Sequence, residues 1–424
     1  MTPDTSARKR FAIAFGIAFV ARALLVGIVT EVEGCSLEAY AGSADGQQIL
    51  AVARGWRGDL ESVRDQGFYK TLRASSGLAS SHLIRFFPTA PGIVAAGKAF
   101  GLPVAVAATF PFWILMATAA GVIAVWARDL RIGLLVGLLP PISLYASSIP
   151  DGSGWLLLFA AVGLLGVQQR RLVVAGAAFG LAAWSRPEGL FPLVGMLVAL
   201  AVCRRRREAV QIAAAAAGTI SIGALITAVR FWPLFMEIRS AGRATEVTAP
   251  AFLDFPGHAL LQAFQSPDTP AWKLFYVGAH LAVALSALWL LVIRARRTGA
   301  DSEASELTAL TVWLTLQLGL VLFLRGTQGF DDLPRYVGSA APAIVVGFAP
   351  WIRRSRWSIA GLCLASLIIA VIPARQNVPP ECRAPANGAA WPAVSENGRL
   401  EMWAGSMRNS RRFHPGNRVH PCFS

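Results

Sequence analysis

Charge is scarce in this sequence. Only 15% of its 424 residues are Asp, Glu, Lys or Arg, against about 25% in soluble domains. So few polar side chains cannot cover the two or three cores that a soluble chain of this length would build, which excludes a water-soluble multidomain protein. Cysteine is scarcer still. The five are Cys35, Cys203, Cys363, Cys382 and Cys422, with no CxxC and no Cys/His spacing of a metal site. A small disulfide scaffold is therefore excluded. Cys203 and Cys363 lie in apolar runs and read as core residues. Cys382 and Cys422 share the C-terminal tail, where an oxidising compartment would permit a bridge that sequence alone does not assign. There is no Walker A motif and no GxGxxG in the right context, which removes ATP-driven and dinucleotide-dependent chemistry. No internal repeat is evident, and no pair of broken hydrophobic segments recurs between two halves, as it does in many transporters.

What the chain has in abundance is apolar residues. They make up 55% of it before its 39 glycines are counted, and the mean hydropathy is +0.52. Disorder and collagen are excluded, leaving a polytopic membrane protein. Uncharged runs near the roughly 20 residues that cross a hydrocarbon core fall at 11–30, 104–127, 132–149, 152–169, 172–185, 189–203, 209–229, 274–293, 307–324, 336–352 and 357–373. They predict about eleven crossings. A further apolar piece, 86–100, contains Lys98 and is too short to cross easily, so it reads as a half-helix on one side. The first run follows Arg8, Lys9 and Arg10. It reads as a retained anchor rather than a signal peptide, because no small-x-small cleavage site follows and many spans do.

The net charge of +15 does not point to nucleic acid, which requires a basic patch on a polar surface. Much of the excess sits in short clusters between apolar runs: Arg128 and Arg131, Arg170 and Arg171, Arg204 to Arg207, Arg294 with Arg296 and Arg297, and Arg353, Arg354 and Arg356. With a cytoplasmic N-terminus and about eleven crossings, every one of these clusters falls inside. Outside then lie a long first loop (31–103), tight turns at Asp151 and at Arg186–Glu188, a long loop (230–273), a short loop (325–335) and the tail (374–424). The module is thus expected to span 1–373.

Asp45, Asp151, Arg186, Glu188, Arg325, Asp331, Asp332 and Arg335 all land on that outer face or at outer helix ends. Each alone reads first as a solvated loop residue, but several sit in tight turns, and charge at membrane depth is costly and marks function. The turn Trp184-Ser185-Arg186-Pro187-Glu188-Gly189 lies between two short runs, so it is expected below the outer surface. Arg186 there either holds an anion such as a phosphate through its fork of donors or pairs with Glu188 to cap a hairpin. Asp45 is either the N-cap of a helix ending near Gly55 or a general base at the membrane surface. Arg85, in Arg85-Phe86-Phe87-Pro88-Thr89-Ala90-Pro91, either anchors at the interface or meets headgroups. Arg335 either presents its charge to a phosphate or snorkels. Arg22, inside the first span, is either paired across the bundle or snorkelling. His280 reads as a hydrogen-bonded packing residue.

Taken in order, several of these elements resemble the GT-C superfamily of integral-membrane glycosyltransferases. Within it the chain is most similar to the mannosyltransferases of the phosphatidylinositol-glycan class V type and their bacterial relatives. The resemblance rests on Asp45-Gly46 followed by Ala53-Arg54-Gly55-Trp56, on Phe86-Phe87-Pro88-Thr89-Ala90-Pro91, on Ser147-Ser148-Ile149-Pro150-Asp151-Gly152, on Arg186-Pro187-Glu188-Gly189 and on Arg335-Tyr336. It covers roughly 10–350, with departures at Ala44 and Gln48.

The resemblance implies an all-α GT-C-like bundle in the plasma or inner membrane, and the helix-forming content and aromatic residues of the first extracytoplasmic loop predict that it is ordered at the membrane surface. It implies transfer of mannose or another hexose from a polyprenyl-phosphate donor to the hydroxyl of a lipid- or glycan-linked acceptor, with inversion. Asp45 would be the catalytic base. Arg186, Arg335 and Arg85 would hold the donor phosphate, and Asp151 and Glu188 would orient substrate. No metal site is assigned, although some members of the superfamily use a divalent ion. Two other readings share the outer cavity: a flippase of lipid-linked sugars, and an O-antigen ligase or polymerase. The flippase needs polar residues at mid-depth, of which there are few. The ligase tends to carry its large loop late in the chain.

Overall fold

The computed structural model describes residues 5–42, 46–57, 89–139, 141–233, 271–298, 302–323, 333–355 and 357–377, with isolated positions between 261 and 269. Among these the chain is helical and has no strand. In order the helices are α1 (Thr5–Glu33), α2 (Leu37–Ala41), α3 (Gly46–Trp56), α4 (Thr89–Ala99), α5 (Val104–Trp126), α6 (Leu130–Leu138), α7 (Pro141–Ala146), α8 (Ser153–Gln168) and α9 (Leu172–Ala183). After a 3-10 turn (Pro187–Gly189) come α10 (Leu190–Val202), α11 (Arg206–Arg230), α12 (Ala271–Arg297), α13 (Ser302–Phe323), α14 (Leu333–Ser339), α15 (Ala341–Gly347), α16 (Ala349–Ile352) and α17 (Trp357–Asn377).

The molecule is a helical membrane protein. Five described helices are long and apolar enough to cross a bilayer: α1, α5, α11, α12 and α13. Helices α8, α9 and α10 and the middle of α17 are apolar but shorter. The short segment containing Lys98 is α4, 11 residues long, about 16 Å at 1.5 Å per residue, too short to cross.

Two runs expected as single crossings are broken, and proline is the physical reason. The run 132–149 is α6 and α7, parted at Leu139, whose backbone is extended. A helix through Gly137 would offer that carbonyl to the N–H of residue 141, but Pro141 has none. Neighbouring helices supply the missing donors: Arg22 Nη2 donates to Gly137 O at 2.9 Å, and the Ser366 hydroxyl donates to Leu138 O. Backbone freed by proline inside a bundle needs such partners, because lipid offers none. The run 336–352 is likewise α14, α15 and α16, with Pro342 and Pro350 opening the last two pieces.

Helix α1 runs antiparallel to α5. Its Ala14 and Ala18 pack on Ala117, Ala120 and Ala124, while Phe19 meets Phe110 and Trp113 edge-on. The main core lies among α5, α8, α9, α10, α12, α13, α14 and α15, around Trp313, Phe179 and Met196. Helices α3 and α4 cover the first half of α5 through Ile49, Ala53, Val94 and Phe112.

Contacts place the arginine clusters at one end of the bundle. Gln168, ending α8, donates to Trp126 O, ending α5, at 3.4 Å. Arg131 donates to the carbonyls of Ile352 and Arg353 at 3.0 and 2.8 Å. Arg205 reaches Ser305 at 3.3 Å, and Arg294 reaches Val346 O at 2.6 Å. This is the basic end. At the opposite end Glu33, closing α1, pairs with Arg375 of α17.

Candidate functional site

Helices α9 and α10 are 12 and 13 residues long, about 18 and 20 Å, against a hydrocarbon core of about 30 Å. Both start or finish at the basic end, so the turn joining them stops well short of the other side. A neighbour measures the shortfall. Trp184, at the turn, donates its indole N–H to Thr219 O of α11 at 2.9 Å. From Thr219, α11 continues to Arg230, about 16 Å further. The two helices fit closely there, because a Cβ on Gly223 would lie 2.3 Å from the Trp184 ring.

Four charged side chains meet at this recessed turn. Arg186 pairs through Nε with Glu188 at 2.5 Å and through Nη1 with Asp151 at 3.2 Å. Arg335, from α14, reaches the same Asp151 Oδ1 at 3.5 Å. The Ser153 hydroxyl donates to Asp151 Oδ2 at 2.8 Å. Arg186 lies 5.5 Å from the centre of the Tyr336 ring, within cation–π reach. Gly152 allows the two turns to approach, since a Cβ there would lie 3.0 Å from both Arg186 Cγ and Ser185 O.

The turn that carries Asp151 is itself held from three sides. Arg22, fully buried, donates to the Ser147 hydroxyl from Nε at 2.9 Å and Nη2 at 2.7 Å, and to Ala18 O at 2.8 Å. The hydroxyls of Tyr40 and Ser148 are 2.5 Å apart. Trp113 donates its indole N–H to Ser148 O at 2.9 Å. Burial, and next Tyr145, hold the Tyr40 phenol well above its ordinary pKa, so it is neutral.

Of the residues singled out from sequence, Asp151, Arg186, Glu188 and Arg335 come together. The Arg186–Glu188 pair forms as the hairpin reading expected, and Asp151 and Arg335 extend it into a four-membered set of zero net charge. Arg335 turns into this set rather than snorkelling. Asp45, Arg85, Arg325, Asp331, Asp332, Cys382 and Cys422 lie outside the described residues. Arg22 is paired across the bundle, and His280 bonds to Tyr276 O at 2.8 Å through Nδ1. Among the described residues no three His, Cys, Asp or Glu side chains gather as metal ligands would. Sequence reasoning missed Tyr40 and Trp113, and it named Ser147 and Tyr336 only as parts of motifs. The available signal was the Ser147-Ser148 pair following the Pro140-Pro141 break, since buried hydroxyls beside broken helix need partners.

No protein-family model matches the chain, and no curated protein matches it.

Proposed function

We propose that this chain is a membrane-embedded glycosyltransferase, moving mannose or another hexose from a polyprenyl-phosphate donor to an acceptor hydroxyl with inversion. In this reading the bundle makes about eleven crossings, in the manner of the GT-C superfamily. The N-terminus and basic end face the cytoplasm, and the charged turn and C-terminal tail face outward. One observation carries the reading: Arg186 and Arg335, from distant stretches of chain, converge on one buried oxygen of Asp151 at a turn recessed within the bundle. A lipid phosphate reaches such a level without leaving the bilayer.

Arg335 is the better placed phosphate ligand. Its side chain is 12% exposed against 7% for Arg186, and its contact with Asp151 is the longer. Asp151 and Glu188 act by holding the two guanidiniums in fixed directions, so their assigned role in orienting substrate is indirect. As the sugar C1–O bond breaks, its electron pair passes to the phosphate oxygen. Fixed positive charge in a low-dielectric site stabilises that oxygen most as the charge develops. Asp45 takes the proton from the acceptor hydroxyl as its oxygen bonds to C1. Tyr40, five residues before Asp45 in the chain, is bonded to Ser148, three before Asp151.

The test uses purified protein, a polyprenyl-phosphate mannose donor, and lipid extract of a deletion strain as acceptor. Asp45→Asn and Arg335→Gln should each lower kcat by about 100-fold or more with normal membrane insertion. Full turnover by Asp45→Asn rejects the base. In the deletion strain itself, unchanged glycoconjugates with altered sidedness of lipid-linked sugars make the protein a flippase instead.

A further inference from the structure

Every described residue with a left-handed backbone occupies the same kind of place. These are Gly34, Gly101, Arg128, Arg170 and Arg204, with φ of 60°, 81°, 54°, 58° and 58°. Each follows the C-cap of a helix, and each closes the same two hydrogen bonds of a Schellman motif. The Arg128 N–H donates to Val125 O and the Asp129 N–H to Ala124 O, both at 3.2 Å. Arg170 and Arg171 repeat this on Val167 O and Gly166 O at 3.0 and 2.8 Å. Arg204 and Arg205 do so on Ala201 O and Leu200 O at 3.1 and 2.8 Å. Gly34 with Cys35, and Gly101 with Leu102, make the equivalent pairs.

The five differ by the end of the bundle they occupy. Helices α1 and α4 finish away from the basic end and use glycine, which takes positive φ without steric cost. Helices α5, α8 and α10 finish at the basic end and use arginine, whose Cβ opposes that conformation. At α8 and α10, attraction of a cation to the helix dipole does not explain the choice. Arg171 and Arg205, one residue on, supply that cation without a left-handed backbone. The three arginines are exposed. Three nearby carboxylates are committed elsewhere, Asp129 to Arg131 and Arg353, Glu208 to Arg205, and Glu303 to Arg294, while Glu306 lies within electrostatic reach of both Arg128 and Arg205.

We propose that Arg128, Arg170 and Arg204 form a docking surface for the headgroup phosphates of anionic phospholipids in the adjoining leaflet. Charge complementarity selects the occupant, because a guanidinium fork matches a phosphate and the surrounding surface is rich in arginine. The proposal rests on the membrane reading and not on the transferase reading. Each basic group at an anionic leaflet is worth about fivefold in affinity, so three together are worth on the order of a hundredfold.

The experiment compares the wild-type chain with the triple variants Arg128→Gly/Arg170→Gly/Arg204→Gly and Arg128→Lys/Arg170→Lys/Arg204→Lys. Thermal unfolding in neutral detergent is followed while phosphatidylglycerol or phosphatidylcholine is added. The glycine variant should melt above wild type in phosphatidylcholine, because its backbone is relieved. It should need about a hundredfold more phosphatidylglycerol for half-maximal stabilisation. The lysine variant keeps the charge without the fork and should need more phosphatidylglycerol than wild type but less than the glycine variant. The proposal is overturned if the glycine variant keeps the wild-type phosphatidylglycerol response, or melts below wild type in phosphatidylcholine. It is equally overturned if inorganic phosphate or an RNA oligomer protects wild type as well as phosphatidylglycerol does.

Discussion

Replacing Arg186 by methionine separates a dry ion network from a wet hairpin. The Arg186, Glu188 and Asp151 side chains are 7%, 3% and 4% exposed. In Arg186→Met, Glu188 loses its ion partner at 2.5 Å. Asp151 keeps Arg335 at 3.5 Å and the Ser153 hydroxyl at 2.8 Å. Stranding a buried charge costs about 3–5 kcal/mol, whereas breaking an exposed pair costs about 0–1 kcal/mol. Glu188→Gln alone leaves Arg186 with Asp151 and should cost about 1–3 kcal/mol. The double variant Arg186→Met/Glu188→Gln removes one charge of each sign and strands neither, so it should lie within about 1–2 kcal/mol of wild type. The cycle therefore carries a coupling of at least about 2 kcal/mol. Reversible unfolding in mixed detergent–SDS micelles, followed by tryptophan fluorescence, measures all four proteins. If the single arginine variant stays within about 1 kcal/mol of wild type, or if the two substitutions simply add, the turn is solvated and the buried network does not exist.

Two further outcomes test the supports of the site. Gly223→Ala forces the Trp184 ring away from α11, where a Cβ would lie 2.3 Å from it, and should destabilise the fold by about 1–3 kcal/mol; a melting temperature equal to wild type would show that the two helices are not in contact. Tyr40 has its pKa raised in the folded state, so its stabilising effect is complete below the ordinary tyrosine range and is lost as pH rises above about 10. Tyr40→Phe should therefore cost about 1 kcal/mol at pH 8 yet lose less stability than wild type between pH 8 and 11; equal losses would mean that the phenol is exposed.

The parts of this fold legible in the sequence are those set by local physics. Apolar runs with arginine at their ends located α1, α5, α8 to α13 and α17 to within a few residues. Long, uninterrupted spans such as α11 leave no competing reading, since apolar length is a property of the segment alone. The broken runs were harder. Pro140-Pro141 and the series Pro334, Pro342 and Pro350 announce missing donors, but hydropathy averages over them. Where the missing donors come from is a tertiary matter: Arg22 lies 115 residues from the Gly137 carbonyl it serves. The candidate site divides in the same way. Arg186 and Glu188 are two residues apart, so their pairing was written in the turn. The sharing of one Asp151 oxygen by Arg186 and Arg335 depends on how α8, α9 and α14 pack, which no local pattern states.

The two ends of the bundle solve the same backbone problem with different residues, and the reason lies in what each end meets. A helix that stops must satisfy its last carbonyls, and the left-handed cap does so wherever it occurs. Where the chain must only turn, as after α1 and α4, glycine suffices. Where the helix end meets a charged surface, a side chain at that position adds an interaction that offsets the left-handed cost. That cost is about 1–2 kcal/mol, comparable with the roughly 1 kcal/mol of one basic group at an anionic leaflet. Arginine at these caps is thus nearly neutral in an anionic bilayer and a net loss in neutral detergent. Fold stability and leaflet preference are coupled through the same three residues, so melting temperatures taken in neutral detergent should understate the stability of the protein in its membrane.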